Sequence, residues 1–136
     1  MTKLLEADRT ALATALMGAW DAAAGACTIE FYDGAQPAGP ATAVGAQILL
    51  GTLTASDPLG VAATGVLTFD PITQDNAADA SGTAAWARLK DGAGTARADF
   101  SVSNGAGAGE IKLNTVTIVM GGPILMTSFV LTMPGG

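Results

Sequence analysis

Twelve carboxylates, one thiol and no imidazole are what this chain has to do chemistry with. Without histidine there is no Ser-His or Cys-His nucleophile pair, and the commonest general base and metal ligand are missing. Cys27 is the only cysteine, so neither a thiolate zinc site nor an internal disulfide can be built. Carboxylate chemistry is the remaining route, and glycoside hydrolysis needs two carboxyl groups facing each other across a cleft. Asp57, Asp70, Asp75, Asp79 and Asp91 instead fall beside Pro, Asn, Ala or Gly at turn positions. Aspartate there bonds its own backbone. The expectation is a protein that is not an enzyme and carries no metal or cofactor.

Two further motifs lead to the same place. Residues 75–79 (DNAAD) have the flavour of a calcium loop but lack the spacing, the central Gly and the terminal Glu of an EF-hand. Gly105, Gly107 and Gly109 suggest a phosphate cradle, yet residues 110–113 after them read as strand, where a nucleotide site needs a helix. The glycines are expected at a flexible hairpin tip.

The two tryptophans are the candidates for contact. Trp86 shares one face of an alternating run with Ala84, Arg88 and Lys90. Two cations beside it suit a solvated face where Trp86 meets a ligand or partner; equally, Trp86 fills the core while the cations emerge beyond it. Trp20 closes a stripe with Leu5, Leu12 and Leu16 at helical spacing. That stripe packs on the protein's own sheet or on another subunit. The candidate interface residues are therefore Leu5, Leu12, Leu16, Trp20 and Trp86.

The elements that must position these residues divide the chain in two. Residues 3–23 hold no Pro and one Gly, and predict one amphipathic helix, with Thr2 as its N-cap and Gly25 at its end. From residue 28 the pattern is short strands separated by turns: 28–33, 48–54, 65–69, 82–90, 96–102, 110–113, 115–120 and 124–133. Asp91-Gly92 signals a hairpin, and residues 33–45 a surface loop. Seven or eight short strands predict an antiparallel β-sandwich or barrel over 28–134, one domain with its N-terminal helix.

Composition limits the partners. The chain has 136 residues, a net charge of −6 and only six Lys or Arg, so no basic footprint for nucleic acid or an anionic membrane can form. Glu6, Asp8 and Arg9 interrupt the apolar core a secretion signal needs, so the protein is expected to be made in the cytoplasm without a leader.

Six segments carry a resemblance. They are TIEFYDGAQPAGPATA from Thr28, LLGTLT from Leu49, SDP from Ser56, GVLTFDPIT from Gly65, DASGTAAWARLKDGAGT from Asp79 and LNTVTIVMGGPILMTSFVLTMP from Leu113. Together they cover most of residues 28–134, and the chain resembles small structural proteins of tailed-bacteriophage and prophage virions. That resemblance implies a minor capsid or decoration protein on the head surface. It would bind the major capsid protein or another virion protein and form a homo-oligomer, a trimer by the local threefold symmetry of capsid lattices. A tail tip or tail fibre module, or a carbohydrate-binding β-sandwich centred on Trp86, are the alternatives.

Overall fold

The computed structural model describes residues 3–133. The protein is mainly β, with one N-terminal helix against a curled eight-stranded sheet that forms half a barrel. The helix is α1 (Glu6–Asp21), and the strands of the large sheet begin with β1 (Thr28–Tyr32), β2 (Leu49–Thr54), β3 (Gly60–Ala63) and β4 (Val66–Phe69). The short β5 (Gly82–Thr83) precedes β6 (Trp86–Lys90), β7 (Ala96–Asn104) and β8 (Ile111–Leu113); β9 (Thr117–Ile118) and β10 (Met126–Thr132) complete the set. The large sheet runs β2-β1-β6-β7-β8-β10-β4-β3, and β5 pairs with β9 as a separate ribbon.

One pairing departs from the antiparallel expectation: β7 and β8 are parallel, with Val102 opposite Ile111. Parallel neighbours normally need a long crossover. Here residues 105–110 turn back tightly instead. Asn104 Oδ1 accepts from the amides of Ala106 and Gly107, and the amides of Gly109 and Glu110 donate to the hydroxyls of Ser103 and Ser101. A Cβ on Gly109 would stand 2.5 Å from the Ser103 nitrogen. Gly109 thus serves close backbone approach, Gly107 lies against the Ser103 side chain and Gly105 faces open space. The flexible hairpin tip expected of the three is corrected to a pinned connection between parallel strands.

Other boundaries moved for local reasons. The predicted strand 82–90 is split at Ala84 and Ala85, whose amides bond Val116 and Tyr32, so its first part pairs with β9 and its second with β1 and β7. The hairpin at Asp91-Gly92 forms, with the left-handed residue at Gly94 (φ 86°) and the Asp91 amide closing onto the Thr95 carbonyl. β3 was not anticipated. It joins β4 through Thr64 (φ 51°) and Gly65 (φ 74°), a two-residue turn whose positive φ at both positions suits the twist of a hairpin.

The helix begins later than expected, at Glu6, with Leu5 at the N-cap position and no side-chain cap; the Thr2 cap lies outside the described residues. Glu6 and Asp8 in the first turn offset the helix dipole. Two side-chain bonds tie α1 to the sheet: the Gly65 amide donates to Thr10 Oγ1, and the Leu59 amide to Asp21 Oδ2.

The core lies on the concave face. Ile29, Phe31, Ala87, Leu89, Phe100, Ile111, Leu67 and Phe129 point into it. Trp20 reaches in from α1 to lie 6.5 Å from Phe69 and edge-on to Phe100 at 6.3 Å, while Phe69 and Phe129 stack. With Phe31, five aromatic rings thus fill the space that the many alanines leave open. The lateral edge of β2 is protected: Thr52 N donates to Asp75, Leu50 O accepts from Asp79 N, and Thr54 bridges to Thr73. Covering an edge this way prevents uncontrolled strand pairing.

Candidate binding surfaces

Sheet alternation puts Tyr32, Glu30, Trp86, Arg88, Lys90 and Asp99 together on the convex face. The Trp86 and Tyr32 rings stack with centroids 4.6 Å apart, and the Arg88 guanidinium carbon is 5.4 Å from the Trp86 ring centre. Arg88 grips Asp99 with both arms, Nε to Oδ1 at 2.8 Å and Nη2 to Oδ2 at 3.0 Å. Lys90 pairs with Glu30, which also accepts from the Tyr32 hydroxyl. Burial and that bond push the Tyr32 phenol up to about 12.

A loop explains why this outward face is dry. Residues 33–48 fold over it, with Trp86 Nε1 donating to the Asp33 carbonyl and Arg88 Nη2 to that of Gly39. Asp33 and Ile48 close the neck of the loop through two bonds, Asp33 N to Ile48 O and Ile48 N to Asp33 Oδ1. Trp86 is left 0% exposed and Arg88 4%. Trp86 therefore fills a second small core beneath the loop, and the open contact surface considered for it is not present in this arrangement. Arg88 does not emerge into solvent either.

The helical candidates also separate. Trp20 is buried and Leu16 half-buried, but Leu12 is 46% exposed and Leu5 70%. The side facing the sheet carries Arg9, Thr10, Ala13, Leu16, Met17 and Trp20. At 100° per residue this face is turned by about 60° from the predicted stripe. The outer side presents Ala7, Ala11, Ala15 and Ala19 at four-residue spacing beside Leu12, with Asp8 as its one charge near the N-terminus.

A further surface escaped the pattern reading. At the end of the sheet where the 33–48 loop sits, Ile48 is 50% exposed, Val119 63% and Met120 65%. Gly82, which pairs with Ile118, packs beside Leu50 and Asp33, and this joins the loop to the 119–122 turn. Within the loop, Asp33, Pro37, Thr42, Ala43, Ala46 and Gln47 are among the residues around a cleft of about 570 Å³. Strand periodicity places Val119 and Met120 in a strand, so nothing in that periodicity marks them as a turn; the signal available was Gly121-Gly122-Pro123 directly after them.

Of the five aspartates expected at turns, Asp75 and Asp91 are engaged with backbone, whereas the carboxylates of Asp57, Asp70 and Asp79 take no hydrogen bond among the described residues. Asp75 accepts from the amides of Thr52 and Ala77, and Asp91 from those of Ala93 and Thr95 while pairing with Arg97 at 2.9 Å. The Thr95 amide and Arg97 hold the Asp91 carboxyl below the usual range against the opposing effect of burial. Cys27 is buried and bonds the Trp20 carbonyl; burial, then the charges of Asp21, Asp91 and Asp57, push its thiol up to about 11. A thiol that stays protonated is a poor nucleophile and ligand. Among the described residues no three acidic or thiol groups converge as a metal site would require, and no helix is long and apolar enough to cross a membrane. Comparison with protein-family models, with curated proteins and with solved structures gives no match.

Proposed function

We propose that the protein is a structural component of a bacteriophage virion that acts through protein–protein contacts, as a minor capsid or decoration protein on the head surface. The observation that carries this is where the large apolar side chains go. Ile48, Val119 and Met120 stand exposed towards one end, Leu5 and Leu12 on the helix, and Val61 and Val130 either side of Thr68 on the outer face of β3, β4 and β10. Asp75 and Asp91, by contrast, are tied to backbone and Cys27 is sealed in the core. Where exposed apolar side chains join into a contiguous patch they mark a contact surface. The head assignment rests on the sequence resemblance, and the physics accommodates it: a lattice engages many modest contacts at once and so holds a small module firmly. The outer face of α1 is the surface for the homo-oligomer, a trimer at local threefold positions, because its small side chains let a neighbouring helix approach closely. Neither catalysis nor a cofactor enters this reading.

Immunogold electron microscopy of purified virions with antibody to this protein is the test. Label over the head is the expected result. Label confined to the tail would reassign the protein to host contact, and virions free of it by mass spectrometry would end the virion reading.

A further inference from the structure

We infer that the end of the sheet bearing Ile48, Val119 and Met120 docks on a different polypeptide, one that presents Lys or Arg around an apolar centre, and not on a second copy of this chain. The inference deepens the reading of the protein as a contact module and rests on it. Its basis is charge. No Lys or Arg occurs in residues 10–87 or after Lys112, so every segment that builds this end is free of cations. The charges in those segments are Asp33 and Asp75, half-buried and accepting backbone amides, and the exposed Asp79. Arg88 lies beneath the loop, but it is buried and neutralised by Asp99.

An isologous contact would lay this surface against itself, carboxylate against carboxylate, with no cation to answer. A partner whose apolar centre is rimmed by basic side chains meets both needs, because complementary potentials select partners and like charges reject wrong ones. Met is enriched in interfaces, and Lys is depleted at their centres.

The surface is also pinned in advance. Met120 N donates to Ser81 Oγ, Gly121 N to the Ala78 carbonyl, and Ala78 N to the Gly122 carbonyl. The Asp33–Ile48 neck holds the other side. Exposed apolar side chains on a fixed backbone lose little entropy on docking. The cleft inside the loop, about 570 Å³, has room for side chains of the partner.

Zero-length carbodiimide cross-linking of intact virions, read by mass spectrometry, tests both face and partner. Cross-links from Asp33, Asp75 or Asp79 to lysines of another polypeptide are expected. Links from those aspartates to Lys3, Lys90 or Lys112 of a neighbouring copy would overturn the choice of partner. Links confined to Glu6, Asp8 or Glu110 would overturn the choice of face. A second measurement uses the variant Val119→Glu/Met120→Glu, whose turn sits outside the core: at least a tenfold drop in particle-bound protein is expected with an unchanged circular dichroism spectrum. Wild-type occupancy of that variant would sink the inference even if no cross-link were recovered. Should virions lack the protein altogether, the virion reading fails by itself, and the same cross-linking in producing cells judges face and partner by the same criteria.

Discussion

Arg88 and Asp99 are 5% and 2% exposed at their side chains, and the desolvation of two such charges is repaid only by good geometry. That geometry is present in the two-armed contact, and Arg88 adds a bond to Gly39 that fastens the loop above Trp86. Removing one partner strands the other. Arg88→Met should cost about 3–5 kcal/mol in urea unfolding, while Arg88→Met/Asp99→Leu should recover most of it. Hydrogen exchange at residues 34–47 should quicken in both variants, because both lose the Gly39 anchor. Equal cost for the single and double variants would show that the pair is not desolvated in solution.

On the scale of the element, α1 separates packing from surface. Trp20→Ala removes the ring that meets Phe69 and Phe100, and should cost about 3–5 kcal/mol. Leu12→Glu, on the outer side, should change the stability of the isolated chain by no more than about 0.5 kcal/mol. In the proposed homo-oligomer it should nonetheless lower the mass measured by analytical ultracentrifugation. The helix itself was legible from its Ala, Leu and missing Pro, but its orientation was not. Alanine is at ease inside or outside, so an Ala-rich helix leaves the sheet to choose the buried side, and the sheet chose Ala13 over Leu12. Strand alternation told correctly that Trp86, Arg88 and Lys90 share a face, because period two is a local property. That a loop would cover the face depends on bonds from residue 86 to 33 and 88 to 39, which no local pattern encodes. β3 was hidden for a similar reason: Gly60-Val61-Ala62-Ala63 has weak strand preference and is held by its pairing with β4.

For the whole molecule, stability against pH should be bounded by identifiable groups at either end. Asp91 is buried, and its native pKa is held below the ordinary carboxylate value, so at mild acidity the unfolded chain binds more protons than the folded one. Its stabilisation is complete above the usual range near pH 4 and is lost as pH falls through the native value. Asp91→Asn should lower stability at neutral pH and flatten the acid side of the profile. At the alkaline end the sign reverses. Tyr32 is raised from 10.0 to about 12, so the folded state holds its proton more tightly. That contribution is intact below pH 10 and fades as pH rises towards 12. Cys27, at about 11, acts in the same direction, and Tyr32→Phe should therefore reduce the alkaline loss without abolishing it. The chain has one tyrosine, so the ultraviolet absorbance of its phenolate titrates this residue alone. A midpoint near the ordinary value of 10.0 in the folded protein would mean that the loop does not seal Tyr32 and Trp86 from water, and would weaken the account of that second core.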